Sequence, residues 1–305
     1  MQAVLKPSVH SGGRPKWPRV ALVAAVMLLA GLGISPQLQA QFATSVQLVE
    51  IYATVTRGDG TAVTGLTAAD FEVVEDGAPQ PISVFVAGEF PVTVALGVDR
   101  SFSMAGEPLR LAMRASQAFL RALKPKDRSM VWAIADGAEV IAPLDSPRDE
   151  QLLALAKLTP WSTTALHDSV IAALERLEPE SGRQALVLFT DGSDRYSRAS
   201  VADVLERVRR SNALVYGIGV GKTRAPILAE MAAVSGGRSL QVRNAEALEP
   251  ALAVIARELQ HQYLLGYAPP PRRSGSETRW RSITVRLTRN AEGARVRARD
   301  GYVAP

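Results

Sequence analysis

The feature that most constrains this chain is the stretch at residues 92–104, V-T-V-A-L-G-V-D-R-S-F-S-M, where an apolar run stops abruptly on one carboxylate and two hydroxyls. A Val-rich run without polar alternation fits a central strand of a parallel sheet, covered on both faces. The strand is expected over residues 92–98, ending at Asp99. In open α/β sheets, ligands gather outside the carboxyl ends of the strands, so the oxygens of Asp99, Ser101 and Ser103 are expected at such a crevice. A helix should follow at once. Pro108 suits a first turn, and Leu109, Ala112, Met113, Phe119 and Leu123 recur at helical spacing.

The same alternation continues downstream. Apolar strands are expected at 129–135, 184–190, 213–220 and 239–242, with a short edge strand in V-I-A-P finishing at Pro143. Helices are expected around 152–158, 165–177, 201–208, 227–234 and 247–260. Strand and helix taking turns over 90–259 imply a doubly wound, mostly parallel α/β sheet of the Rossmann-like kind.

The flanks read differently. Residues 46–86 carry alternating strands with R-G-D-G and D-G turns between them, which are hairpin signals in a small antiparallel unit; Thr67 and Asp70 mark one capped turn. Arg57, Gly58 and Asp59 spell a tripeptide that many integrins recognise, but Asp59 and Gly60 already make an ordinary two-residue turn. After Pro269, R-S-I-T-V-R-L-T and A-R-V-R-A-R-D-G-Y-V alternate as strands. A β tail behind an α/β domain needs a partner sheet, so segments 41–89 and 260–305 are expected to meet in one antiparallel β domain. Ten arginines lie between Arg257 and Arg299 against Glu258, Glu277, Glu292 and Asp300, and the expectation is a solvated basic strand face.

D-x-S-x-S after a buried strand resembles the metal-ion-dependent adhesion site of von Willebrand factor type A (VWA) domains, as found in integrins. W-S-T-T-A-L-H-D-S at 161–169 is similar to that family's G-G-T-A-L-x-D-A segment, and A-L-V-L-F-T-D-G-S-D at 185–194 to its later strand. The resemblance implies a metal set of Asp99, Ser101, Ser103, Thr164 and Asp191, with Thr163 the alternative to Thr164 and with Asp191 acting directly or through water. V-T-G-L-T-A-A-D-F-E-V-V-E-D-G-A-P-Q-P-I, Q-Y-L-L-G-Y and the terminal D-G-Y-V-A-P resemble the VWFA-related proteins of Acidobacteria and other soil bacteria. Arg100 and Phe102 depart from the small residues usual in the first motif, and Ser162 and Thr163 replace a glycine-rich pair.

The donor set makes chemical sense. Mg²⁺ prefers oxygen ligands, keeps several waters and is usually held by one or two carboxylates, with Mn²⁺ or Ca²⁺ the other candidates. Two aspartates about 5 Å apart at neighbouring strand ends repel by of order 3 kcal/mol at an effective dielectric of about 20, a cost that one divalent cation removes. The family resemblance further implies that an open metal position accepts an acidic side chain from a partner protein.

Rival chemistries fit less well. Cysteine is absent, which excludes disulfides, cysteine nucleophiles and thiolate zinc sites. G-I-G-V-G-K-T lacks phosphate-loop spacing, because Tyr216 stands where the first glycine is needed; no nucleotide is expected. No G-x-S-x-G or H-E-x-x-H occurs, and His167 beside Asp168 reads as a surface or packing residue, so no enzyme is expected. A net charge of +5, part of it in the first forty residues, gives no reason to expect nucleic acid. Lys6, Arg14, Lys16 and Arg19 before the apolar run 20–32 read as a secretory signal cleaved after Ala40, or as a retained anchor and then the one membrane contact. The reading is thus an exported adhesion-type binding module in the periplasm, cell envelope or medium. The alternatives are an envelope scaffold in which the cation only stabilises the fold, and a metal-dependent hydrolase.

Overall fold

The computed structural model describes residues 48–88, 90–222, 224–244, 247–271, 279–288 and 293–304. The expected leader, its cleavage point and any anchor it would make fall outside the described residues. Within them, no helix is long and apolar enough to cross a membrane.

Strands β1 (Val49–Thr56), β2 (Phe71–Glu75), β3 (Ala78–Gln80) and β4 (Val84–Gly88) come first. The α/β part follows as β5 (Val92–Asp99), α1 (Glu107–Ala122), β6 (Arg128–Ile134), β7 (Ala138–Ala142), α2 (Arg148–Ala156), α3 (Leu166–Leu177) and β8 (Arg183–Thr190). It continues through α4 (Val201–Arg210), β9 (Ala213–Val220), α5 (Pro226–Ser235), β10 (Arg238–Val242) and α6 (Leu248–Gln260). Strands β11 (Gln262–Tyr267), β12 (Trp280–Leu287), β13 (Arg295–Arg297) and β14 (Gly301–Val303) close the chain.

The six-stranded sheet has the order β10-β9-β8-β5-β6-β7, parallel throughout except for the antiparallel edge strand β7. Every residue of β5, β8 and β9 is buried, as a Val-rich run covered on both faces requires. One face packs Val94, Leu96 and Val98 of β5 against Phe119 and Leu120 of α1, Leu155 of α2 and Ile255 of α6. The other packs Leu186, Leu188 and Val215 against α3, α4 and α5 through Leu166, Val204 and Met231. From β5 the chain crosses to β6 on one side, and from β8 it crosses to β9 on the other. The strand order therefore reverses between β5 and β8, which is where open α/β sheets bind ligands.

The flanks form two four-stranded sheets, β13-β1-β11-β4 and β14-β12-β2-β3, each mixing strands from both ends of the chain. They share a core of Ile51, Val55, Phe71, Val73, Leu265, Tyr267, Ile283 and Tyr302. Three expectations are corrected here. The R-G-D-G turn makes a single bridge, Thr56 to Ala62, and no ladder: β1 pairs with β11 and β13, while β2 pairs with β12 and β3 in the other sheet. Asp76 and Gly77, at φ 47° and 82°, do make the tight hairpin between β2 and β3. The tail expected as one strand over A-R-V-R-A-R-D-G-Y-V is two, because Ala298, Arg299 and Asp300 cross between the sheets and run against the backbone of Gly236.

The third correction concerns the basic tail. Arg286 and Arg295 are exposed as a solvated face requires. Others are spent inside the molecule: Arg281 pairs with buried Glu75 at 2.5 Å, and Arg297 with buried Glu258 of α6 at 2.6 Å. Arg299 donates to Asn212 Oδ1 at 2.7 Å. Strand alternation alone overlooks a guanidinium that reaches a buried carboxylate on a neighbouring element.

Candidate metal centre

Asp99 ends β5 at the switch point with its side chain 0% exposed. The next residues alternate: Ser101 and Met104 are buried, whereas Phe102 and Ser103 are exposed. Met104 is fully buried and anchors a short turn, Phe102–Met104, whose Met104 N–H donates to the Ser101 carbonyl at 2.9 Å. Within it the Ser101 N–H donates to Asp99 Oδ1 at 2.9 Å, and the Ser101 and Ser103 hydroxyls stand 3.1 Å apart.

Asp191 follows β8 immediately, half-buried, with its Oδ1 accepting the Ser193 N–H at 2.9 Å. Thr190 joins the two strand ends, since its hydroxyl donates to Asp99 Oδ2 at 2.6 Å and accepts the Gly192 N–H at 2.9 Å. Gly192 has φ +79°, and a Cβ there would stand 2.0 Å from that of Ala225, so both backbone and space demand glycine.

Thr164 lies on the third loop, buried, with Thr163 half-buried beside it. Its carbonyl accepts the N–H groups of Arg195 and Tyr196, both at 3.0 Å, which ties this loop to the one after Asp191. Toward the first loop, the Phe102 N–H donates to the Ser162 carbonyl at 3.0 Å and the Trp161 N–H to the Arg100 carbonyl at 2.8 Å. Backbone hydrogen bonds thus stitch together the three loops bearing Asp99, Ser101, Ser103, Thr164 and Asp191.

Arg100 turns to Glu139 on β7, at 2.8 Å, and Phe102 is 66% exposed. Ser162 has a left-handed backbone, φ 57°, and its hydroxyl donates to Asp136 at 2.8 Å.

Burial pushes the Asp99 carboxyl above its ordinary range; hydrogen bonds from Ser101 and Thr190 pull it back, and the nearby charge of Asp191 pushes it up again. No Lys or Arg pairs with Asp99 among the described residues. Each of its oxygens accepts one hydrogen bond and keeps acceptor capacity for a cation. Among the described residues no three His, Cys, Asp or Glu side chains are placed to hold a metal together, and the donors at this strand end are two carboxylates and hydroxyls, a hard-cation set.

Three contributors escaped the sequence reading in the roles they play. Thr190 reads as the last residue of a strand, with only its place before Asp191 to distinguish it. Asp194 accepts the His167 N–H at 2.8 Å and the Ser197 hydroxyl at 2.6 Å. Asp168 accepts the N–H groups of Arg198 and Ala199. Both carboxylates fasten the loop after Asp191 to the start of α3.

A model of the von Willebrand factor type A domain matches residues 94–253, more than half of the chain. The chain belongs to the von Willebrand factor type A family. The VWA match begins inside β5 and ends inside α6, leaving both flanking sheets outside it. No curated protein matches the sequence. Among solved structures, the chain is similar to a von Willebrand factor type A protein from Catenulispora acidiphila, at 16% identity and TM-score 0.51 over 77% of this chain and 74% of that one. It is also similar to proximal thread matrix protein 1 from the mussel byssus with a zinc-occupied MIDAS motif, at 20% identity and TM-score 0.50 over 62% of this chain and 50% of that one. At these identities the likeness is one of fold.

Proposed function

We propose that the chain is an exported, cation-dependent protein-binding module of adhesion type. Asp99, Ser101, Ser103 and Thr164 would hold one divalent cation, Mg²⁺ by preference and Mn²⁺ or Ca²⁺ as alternatives, with Asp191 contributing directly or through water. The observation that carries this reading is Asp99 itself: a fully buried carboxylate at the topological switch point, beside Asp191, with hydroxyls around it and no cationic side chain paired with it among the described residues. Bound there, the cation would neutralise the two aspartates and offer a coordination position to a carboxylate from a partner protein. The mussel protein provides one instance of a metal, zinc, in the motif on this fold.

Calorimetric titration of Mg²⁺, Mn²⁺ and Ca²⁺ into the protein tests the reading, beside an Asp99→Ala, Ser101→Ala double variant. One saturable site in the wild type and none in the variant is the expected result. Absence of binding at millimolar metal would leave an envelope scaffold as the better account.

A further inference from the structure

Each of the three loops that carry the candidate ligands also carries one exposed aromatic ring. Phe102 is 66% exposed between Ser101 and Ser103, Trp161 is 57% exposed before Thr164, and Tyr196 is 64% exposed on the loop after Asp191. They are the aromatic members of the exposed large hydrophobic side chains among the described residues; the rest are Leu48, Val86, Leu153 and Val201. The backbone bonds Phe102 to Ser162, Trp161 to Arg100 and Tyr196 to Thr164 hold the three segments side by side. Large rings left in water around one spot mark a binding surface, and Trp and Tyr are the residues that most often dominate such surfaces.

Basic side chains stand on the neighbouring loops. Arg195 and Arg198 are exposed on the loop after Asp191, and Lys222 and Arg224 on the loop whose Ala225 packs against Gly192. None of the four pairs with a carboxylate among the described residues. Of the neighbouring acids Glu139 is paired with Arg100, whereas Asp136, Asp168 and Asp194 accept from neutral donors and keep their charge. With a divalent cation offsetting Asp99 and Asp191, the four cations outnumber these three carboxylates by one, a small positive excess that complements an acidic partner.

We propose that the occupant of this face is an acidic protein segment that carries an aromatic side chain beside its carboxylate. The carboxylate completes the cation while the flanking side chain lies on Trp161 and Tyr196. This rests on the cation-dependent reading above and adds to it a sequence preference that the metal alone does not supply.

The test titrates two end-blocked peptides, Gly-Gly-Asp-Gly-Gly and Gly-Phe-Asp-Phe-Gly, into Mg²⁺-saturated protein and into a Trp161→Ser, Tyr196→Ser double variant. Phe102 is left in place because its backbone lies between two candidate ligands. The wild type should bind the aromatic peptide tighter by about tenfold, and the variant should lose that preference while taking up Mg²⁺ as before. Equal affinity for both peptides, a preference that survives in the variant, or uptake of Mg²⁺ with no binding of either peptide would overturn the proposal and leave the metal site standing. Mg²⁺-dependent dimerisation abolished in the variant would also overturn it, by making a second copy the occupant. Failure of the wild type to take up Mg²⁺ at all would instead sink the reading beneath it.

Discussion

Two regions of the molecule bury carboxylates and compensate them in opposite ways. In the flanking sheets Glu75, 2% exposed, accepts from Arg281 and from the hydroxyls of Tyr267 and Tyr302, at 2.5, 2.5 and 2.9 Å. Glu258 on α6, equally buried, meets Arg238 and Arg297 at 2.5 and 2.6 Å. At the end of the parallel sheet Asp99 receives one N–H and one hydroxyl, with a second aspartate beside it. A buried charge is costly unless paired, so the first pattern is what folding requires, whereas the second leaves room for a cation from outside. The contrast separates buried acids compensated by the chain's own cations from one that is not, at the place where the proposed cation would sit.

The largest expected effect lies in the flanks. Glu75→Ala leaves Arg281 buried without its counter-charge and should cost about 3 to 5 kcal/mol in urea unfolding. A loss under about 1 kcal/mol would remove the contrast with Asp99.

At the candidate metal centre the sign depends on the ion. Mg²⁺ at about a hundred times its dissociation constant should raise the unfolding free energy of the wild type by about 2.7 kcal/mol, and that of Asp99→Asn not at all. In chelator, Asp99→Asn should unfold at the same or higher urea than wild type, because it removes an uncompensated buried charge. A large loss in chelator would instead make Asp99 a structural acid like Glu75.

Asp194 offers a finer test. Burial pushes its carboxyl up, but hydrogen bonds from the Ser197 hydroxyl and the N–H groups of His167 and Ser197 together hold it below the usual range. The unfolded chain therefore takes up the proton first, so the stability Asp194 contributes is present above about pH 4 and is lost as pH falls through the lowered native value. Asp194→Ala should cost about 1 kcal/mol near neutrality, and the gap to wild type should close in acid. A gap that widens in acid would reverse the assignment.

The smallest effect is expected at Ser162. Ser162→Gly relieves a left-handed backbone and loses the hydroxyl bond to Asp136, two terms of about 1 kcal/mol each and opposite sign. Thermal unfolding should move by no more than a few degrees.

The α/β sheet was legible because its signal is local. The end of β5 at Asp99, the alternation of helix and strand, and the oxygens of Asp99, Ser101 and Ser103 all follow from neighbours in sequence. The left-handed Ser162 and the inward Met104 were not legible, because both depend on what the loop packs against. The flanks resisted more strongly. R-G-D-G looks like a hairpin tip from composition, yet β1 finds its partners in β11 and β13 across some 200 residues of sequence.

The sequence by itself determined which strands of the parallel sheet are buried on both faces and where each of them stops, since apolar periodicity records burial one residue at a time. Only the tertiary structure decided which strands pair in the flanks, which arginines are spent on Glu75 and Glu258, and that Thr190 bridges Asp99 to the strand end at Asp191. Those choices are made by burial and charge compensation between segments far apart in the chain. A carboxylate's neighbours in sequence carry no record of the guanidinium or hydroxyl that will meet it.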